Sequence, residues 1–140
     1  MSRASVEDCR LIELPKILDE RGNLTFVEGK RHVPFGIARI FYLYDVPAGA
    51  SRGAHAHREN HQVLICLAGG LDVEVDDGRR ADCFHLDRPS QGLHVPPMIW
   101  AAETNFRPGT VCLVLTSHLF EEADYIRERS EYESLTRPRP

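Results

Sequence analysis

The sequence predicts an all-β domain with one helix near its C-terminus. Between residues 10 and 117 the apolar residues come in short runs rich in β-branched and aromatic side chains, and Gly, Pro and Asp separate the runs. After Ser117 the spacing changes to that of a helix, and the apolar residues concerned are Phe120, Ala123, Tyr125 and Ile126. This pattern favours a jelly-roll sandwich or closed barrel, whose mouth can hold a ligand.

The positions of the strands follow from the same apolar runs. The predicted strands are Leu11–Leu14, Asn23–Glu28, Ile37–Val46, His61–Leu67, Leu71–Val75, Ala81–Leu86, Gly92–Val95 and Thr110–Ser117. Asp76-Asp77-Gly78 separates two of them and predicts an antiparallel hairpin, because Gly and Asp tolerate the positive φ angles of tight turns. Residues 1–135 are expected to form a single domain, and the Arg- and Pro-rich residues 136–140 a disordered tail.

Size and charge narrow the classes of partner. The chain has 140 residues, which suits one domain, and its formal charge of −4 gives no reason to expect nucleic acid as the main partner. A small phosphorylated ligand remains compatible, because it needs only a few local arginines. The first ten residues lack the apolar stretch of a signal peptide, and no segment has membrane-spanning length, so we expect a cytoplasmic protein without a membrane partner.

The four cysteines show none of the close-pair spacings of zinc sites or redox motifs. Cys66 and Cys112 lie in apolar runs and are predicted to be core thiols.

Two histidines form the most informative feature of the sequence. His55 and His57 are two residues apart, so on an extended strand both imidazoles point to the same face. Small Gly and Ala neighbours leave room around them. A simpler interpretation is a pair of surface histidines in a loop. Their alignment on one face, after Arg52-Gly53 and before an apolar strand, favours a functional site instead.

The spacing resembles the first motif of the cupin barrels, in which a glycine precedes His-x-His, a glutamate and a distal glycine. The matching residues are Gly49, His55, His57 and Gly69. The glutamate position falls on His61 or Gln62, and the spacing to the distal glycine selects Gln62. An amide is a weaker ligand than a carboxylate for a hard or borderline cation. Strand parity points His61 and Gln62 to opposite faces, so at most one of them joins the pair.

The second cupin motif lacks its usual histidine. That motif supplies a last ligand after a Pro-Pro-Gly turn, whereas Ala101 follows the corresponding Pro96-Pro97 segment here. Two imidazoles with Gln62 and Ala101 make a poor metal cage. The remaining role for the pair is proton transfer, because imidazole has an unperturbed pKa of about 6.5. Two such groups in one apolar cavity should not both be charged, which makes them an acid and a base.

With these motifs the chain is similar to the sugar-nucleotide 3,4-ketoisomerases, the WxcM-like cupins, from Leu11 to about Tyr132. The segments that carry the resemblance are Asp19–Gly22, Val33–Phe35, Arg39–Tyr42, Arg52–His57, Gln62–Leu67, Val73–Gly78 and Glu122–Ile126. The resemblance implies a cupin jelly-roll barrel with a short C-terminal helix. It further implies isomerisation of dTDP-4-keto-6-deoxy-D-glucose to the 3-keto sugar without metal or organic cofactor, in a homodimer that exchanges an N-terminal strand.

Roles in catalysis follow from the chemistry of this reaction. We expect His57 to be the leading base that removes the proton on carbon 3, and His55 to shuttle protons with it, although the order between them stays open. Tyr42 is expected either to hydrogen-bond the enediol oxygen or to be an aromatic core residue.

Binding of the nucleotide requires cationic groups for the pyrophosphate. The resemblance implies Arg21 and Arg52 at the pyrophosphate, because both match family positions. The other expected substrate-binding residues are Arg39 as a third cation, Gln62 beside the histidines and Trp100 at the pocket wall.

Three further functions compete with this one. The 3,5-epimerase class of sugar-nucleotide cupins also removes protons beside a 4-keto group, but it uses one His base with a separate Tyr acid in a longer chain. The paired histidines and the chain length therefore favour a ketoisomerase. A non-catalytic sugar-nucleotide binder and a metal-dependent cupin oxygenase are the remaining two candidates.

Overall fold

Two antiparallel β-sheets pack face to face in the computed structural model, which describes residues 3–138. In spatial order, the first sheet contains β1 (Arg10–Glu13), β9 (Gln91–Val95), β6 (Gln62–Ala68), β11 (Val111–Thr116) and β4 (Arg39–Leu43). The second sheet contains β12 (Tyr125–Ile126), β5 (Arg52–His57), β10 (Trp100–Thr104), β7 (Leu71–Asp76) and β8 (Ala81–Leu86). A short ribbon pairs β2 (Lys16–Ile17) with β3 (Leu24–Thr25). These sheets confirm the all-β prediction.

Alternation along the strands places the core between the sheets. On β7 the side chains of Leu71, Val73 and Val75 are buried, and those between them point outward. The central strand β6 is buried on both faces, because Leu64 faces the space between the sheets while Ile65 packs under the N-terminal segment. The inner faces of both sheets therefore line one interior.

The structure confirms two local predictions. The Asp76-Asp77-Gly78 segment begins the turn between β7 and β8, where the Asp77 amide donates to the Arg80 carbonyl at 3.1 Å and Gly78 has a φ of +93°. Cys66 and Cys112 are core thiols, with relative exposures of 1% and 0%.

The helix prediction was correct for the end of the chain but wrong for residues 120–126. Glu122–Asp124 forms a single 3-10 turn, and β12 follows it because Tyr125 and Ile126 pair with His57 and Ala56. The α-helix, α1, spans Arg129–Thr136. The predicted tail thus begins on the last residue of α1, and residues 139 and 140 lie outside the described part. Within residues 3–138 no helix is long and apolar enough to cross a membrane.

Besides β12, two further strands of the second sheet were absent from the predicted set. β5 contains the sequence Arg-Gly-Ala-His-Ala-His and β10 the sequence Trp-Ala-Ala-Glu-Thr, and Gly and Ala are poor strand formers. Both form because they pair with each other and β10 also pairs with the strongly alternating β7. The most important strands for the site are therefore held by their neighbours rather than by their own composition.

Candidate active site

A bulge in β5 directs the two histidines into the interior. The register between β5 and β10 shifts at Ala101/Ala102, and Gly53 and Ala54 take φ angles of +88° and +51° there. Beyond the bulge, His55 and His57 lie on the same face with ring centroids 5.0 Å apart. Ala56, between them, packs outward in a small cluster under α1.

Asp124 holds His57 in one orientation. The Nδ1 atom of His57 lies 3.0 Å from Oδ2 of Asp124, in the 3-10 turn before β12. The carboxylate also accepts hydrogen bonds from the amides of Glu59, at 2.7 Å, and Asn60, at 3.3 Å. A carboxylate only accepts, so His57 carries its proton on Nδ1 and its Nε2 has a free lone pair. The turn thus fixes the tautomer as well as the position of the ring.

His55 is oriented in a similar way by the backbone. Its Nδ1 lies 2.9 Å from the carbonyl oxygen of Gly53, which can only accept, so this ring too carries its proton on Nδ1. Tyr125 packs against both rings, with centroid distances of 5.0 Å to His55 and 4.3 Å to His57. Arg39 donates to the Tyr125 hydroxyl at 3.4 Å. These contacts join β4, β5 and β12 around the pair.

Burial keeps both imidazoles neutral. Removal from water lowers the pKa of His57 to about 4, the neighbouring His55 adds to this, and Asp124 opposes it. Burial likewise lowers the pKa of His55. At neutral pH each ring is therefore a base with an available Nε2 rather than a cation.

Two buried polar atoms in this region have no partner. Within residues 3–138 neither Nε2 of His57 nor Nε of Arg39 meets a hydrogen-bonding group. Buried polar groups are nearly always satisfied, so an unpaired acceptor and an unpaired donor in one region indicate a place for a polar ligand.

The structure brings some of the expected binding residues to the interior and leaves another outside. Arg52 begins β5 and pairs in register with Glu103, on the histidine face, and its side chain is exposed. Gln62 is buried, and it shares the inner face of β6 with Leu64, opposite to His61. Arg21 lies in the exposed β2–β3 loop, where its guanidinium pairs with Asp19 at 2.8 Å rather than with a group of the histidine site.

Tyr42 and Trp100 are corrections to the expected site. Tyr42 is 59% exposed on the outer face of β4, because Arg39 and Phe41 occupy the inner positions of that strand. Trp100 lies on the outer face of β10 and packs against Tyr132 of α1, with ring centroids 5.4 Å apart. Neither side chain can contact the interior histidines of its own chain.

Asp124 and Tyr125 are site residues that the sequence reasoning missed. Both belong to the Glu122–Ile126 segment that carries part of the family resemblance, so that segment was the available signal. Its apolar spacing matched a helix, and a helix there would not have placed a carboxylate beside His57. The pairing of Tyr125 with His57 is what brings the segment to the site.

Metal-binding donors are grouped elsewhere in the described chain. Asp72, Cys83 and His85 place ligand atoms within 4.8 Å of one another on the second sheet. At the histidine pair, by contrast, both Nδ1 atoms are engaged and the further cupin ligand positions hold Gln62 and Ala101. The donor set therefore suits proton transfer better than metal ligation.

Fold and site together define a small cupin barrel with two histidines on its inner face, one of which is backed by a carboxylate. The family model described as "FdtA: WxcM-like, C-terminal" matches residues 7–137, and the chain belongs to this family.

Relatives at moderate identity act on nucleotide-linked sugars. TDP-4-oxo-6-deoxy-alpha-D-glucose-3,4-oxoisomerase of Aneurinibacillus thermoaerophilus is 38% identical over 123 residues, which are 88% of each chain. The 3,4-ketoisomerase QdtA of Thermoanaerobacterium thermosaccharolyticum superposes with a TM-score of 0.90 at 37% identity, covering 91% of this chain and 93% of QdtA. That structure is a histidine-to-asparagine mutant in complex with TDP-4-keto-6-deoxyglucose.

An epimerase shares only the fold. NovW, a 4-keto-6-deoxy sugar epimerase from the novobiocin cluster of Streptomyces spheroides, superposes with a TM-score of 0.73 at 18% identity, covering 88% of this chain and 70% of NovW.

Removal of the Asp124 carboxylate should destabilise the fold. In Asp124→Ala, the His57 ring and the amides of Glu59 and Asn60 lose their acceptor, and each buried donor left unpaired costs about 1–3 kcal/mol. Because part of this turn reaches water, we expect the free energy of unfolding to fall by about 2–3 kcal/mol in urea denaturation. The control is Glu121→Ala, an exposed acid in the same turn. A loss within about 0.5 kcal/mol of that control would contradict the role assigned to Asp124.

Proposed function

We propose that the chain is a 3,4-ketoisomerase that converts TDP-4-keto-6-deoxyglucose to its 3-keto isomer by proton transfer through an enediol. The observation that carries this proposal is the unpaired Nε2 of a neutral His57, held toward the barrel interior by Asp124. The oxoisomerase and ketoisomerase relatives support the substrate class.

The first step of the reaction needs a base that is unprotonated near neutral pH. The 4-keto group acidifies the proton on carbon 3, and Nε2 of His57 removes it to give the enolate. Reprotonation on carbon 4, together with transfer of the hydroxyl proton from the oxygen on carbon 3 to the oxygen on carbon 4, gives the 3-keto isomer. A neutral imidazole can act as the base over the whole physiological range, because the pKa of His57 lies at about 4.

His55 is proposed as the second member of a proton relay. Its ring is edge-on to His57, and it too presents an unprotonated Nε2. Protonation of one ring discourages protonation of the other at this separation. The pair therefore holds at most one extra proton, which suits a site that moves a single proton between neighbouring carbons.

Asparagine substitutions test the base. His57→Asn keeps a polar side chain but cannot accept the proton, so turnover should fall by roughly a hundred- to ten-thousandfold while TDP binding survives. Exchange of the carbon 3 proton with deuterated solvent should vanish in this variant. His55→Asn should also slow turnover, and the double variant should lose far less than the product of the two effects.

The exchange experiment in deuterated solvent and an elemental analysis of the purified protein separate the competing functions. Deuterium at carbon 5 would identify a 3,5-epimerase, and stoichiometric iron, nickel or manganese removable with loss of activity would identify a metal-dependent cupin. Turnover within about threefold of the parent in both histidine variants would contradict the assignment, because a lost general base costs at least a hundredfold.

Arg52 is proposed to bind the pyrophosphate of the nucleotide. Its guanidinium lies on the histidine face of β5 at the start of the strand and is exposed. Arg39, half-buried against Phe41 and Tyr125, is proposed as the second cation of the site, closer to the sugar. The two arginines would neutralise a ligand that brings about two negative charges.

Arg52→Ala should weaken TDP binding by about 1.5–3 kcal/mol, the typical contribution of a hydrogen bond to a charged group. Calorimetric titration with TDP provides the measurement. Arg79→Ala removes an equally charged, exposed side chain from the β7–β8 turn and should leave the affinity unchanged. Equal affinities in the two variants would remove Arg52 from the site.

We propose that two copies of the chain form a homodimer through the outer face of the first sheet. A largely apolar cleft of about 660 Å³ opens on that face, with Ile40, Ile65 and Leu113 among its lining residues. Ile40 and Tyr42 remain 55% and 59% exposed beside it. Adjacent exposed apolar side chains of this kind mark an interaction surface, and the homodimer implied by the family resemblance makes a second copy of the chain the proposed occupant.

Light scattering tests this dimer. The parent should have twice the mass of the chain, and Ile40→Lys should convert it to a monomer because the lysine charge would be buried in the interface. Leu135→Lys places the same charge on the exposed side of α1 and should leave the dimer intact. A monomeric parent, or an unchanged dimer in Ile40→Lys, would contradict the proposal.

A further inference from the structure

One carboxyl group of the barrel interior has no role in the chemistry described above. Glu103 lies on β10, where it pairs in register with Arg52 on one side and Val73 on the other. Val73 belongs to the core between the sheets, so Glu103 shares the inner face of β10 with Ala101. A carboxylate at such a position costs free energy unless it is paired or protonated.

The carboxyl group of Glu103 packs onto the backbone that orients His55. A Cβ atom at Gly53 would collide with Oε2 of Glu103, so the acid lies directly over Gly53. The carbonyl oxygen of Gly53 accepts the Nδ1 proton of His55. The φ of +88° favours glycine at this bulge, and the Glu103 carboxyl fills the space that a Cβ atom would take.

Ala101 keeps the intervening surface clear. It pairs with His55 across the sheet, and it is the inward residue of β10 that precedes Glu103. Because the Ala101 side chain is a single methyl group, β10 places no larger side chain between His55 and Glu103. A sugar that reaches the Nε2 atoms of the histidines can therefore also reach the acid.

The histidine pair alone lacks a proton donor for the sugar oxygens. Both rings carry their proton on Nδ1, where Asp124 and the Gly53 carbonyl accept it, so neither neutral ring has an Nε2 proton to give. The keto oxygen gains negative charge as the carbon 3 proton leaves, and it needs a donor at that moment.

We propose that Glu103, in its carboxylic acid form, is the group that exchanges protons with the oxygens on carbons 3 and 4 of the sugar. This inference rests on the proposed ketoisomerase function and adds a catalytic residue to it.

Protons balance over the cycle. His57 takes the proton from carbon 3 while the Glu103 acid gives its proton to the oxygen on carbon 4, which yields the enediol and a Glu103 carboxylate. The carboxylate then takes the hydroxyl proton from the oxygen on carbon 3 as that oxygen becomes the ketone. The proton held by His57 goes to carbon 4. Both residues return to their starting forms, and no other reactant is consumed.

The surroundings of Glu103 favour its protonated form. Burial raises the pKa of Glu103 to about 7, against opposing effects of its own backbone amide and of Arg52. The groups that face it are Arg52 from β5, the Cys112 thiol from β11 and the apolar Val73 from β7. Because the pKa is raised, the acid is present below about pH 7 and is lost as the pH rises through that value.

Tyr125 is the rival donor. Its hydroxyl accepts from Arg39, and its own proton is available to a ligand. Tyr125→Phe therefore has to be measured alongside any change at Glu103.

The test compares Glu103→Gln with Glu74→Gln, which alters an exposed carboxyl on the outer face of β7. Glutamine keeps the size and a hydrogen-bond donor but cannot take up the hydroxyl proton. Formation of the 3-keto sugar should therefore fall at least a hundredfold, while solvent exchange at carbon 3 persists and TDP binding is unchanged. In His57→Asn, by contrast, exchange and turnover should disappear together. The two variants therefore distinguish a failure of the proposed ketoisomerase function from a failure of the role proposed for Glu103.

A second readout does not depend on activity. Between about pH 4.5 and 7 the unfolded chain releases the Glu103 proton and the folded chain retains it, so the stability of the parent should fall relative to Glu103→Gln as the pH rises. Glu74→Gln should show no such trend.

Three results would overturn the proposal. One is turnover in Glu103→Gln within about threefold of Glu74→Gln, where a lost acid costs at least a hundredfold. The second is a stability difference that does not change with pH. The third is that Tyr125→Phe, and not Glu103→Gln, loses turnover while it retains solvent exchange at carbon 3.

Discussion

The hydrogen bond between Nδ1 of His57 and Asp124 is the interaction on which the rest of the site depends. It joins β5 to the turn before β12, and that turn also receives the amides of Glu59 and Asn60. The adjacent pairing of β12 with β5 places Tyr125 against both histidine rings. Without the hydrogen bond to Asp124, β12 would still pair with β5 through the backbone, but His57 would be free to take the other tautomer, in which Nε2 carries the proton.

Two opposing effects act on His57, and burial is the larger. Desolvation disfavours the imidazolium, and His55 disfavours it further, whereas the Asp124 carboxylate favours it. The net result is a pKa of about 4, so the carboxylate orients a neutral base and does not charge it. At Glu103 the pKa shifts in the opposite direction, upward, because burial again favours the neutral form, which for this group is the acid. One apolar interior thus prepares a base and an acid from groups that would both be charged or partly charged in water.

Sequence reasoning was strongest where side-chain parity decides the outcome. The separation of His55 and His57 by two residues predicts one shared face, and the same rule separates His61 from Gln62. Parity says nothing of which face is the inner one, and that is why Tyr42 was expected inside. A shift of one residue in register moves a strand residue to the other face, so Trp100 could not be placed without knowing how β10 pairs.

Contacts between distant segments were beyond reach of the sequence. Asp124 is 67 positions from His57, and the apolar spacing around it fits a helix as well as the observed turn and strand. Glu103 lies in a strand of poor β-formers whose place in the sheet is decided by β7 and β5. The family resemblance included the Asp124 segment, but only the three-dimensional pairing explains why a carboxylate is needed there.

Nitrogen-15 NMR of the histidine side chains tests the central claim most directly, because it reports tautomer and protonation at each ring. At pH 7 we expect His57 to be neutral with its proton on Nδ1, to remain neutral down to about pH 5, and to lose this tautomer preference in Asp124→Asn. A His57 ring that is a doubly protonated imidazolium at pH 7, or a neutral ring that carries its proton on Nε2, would contradict the account.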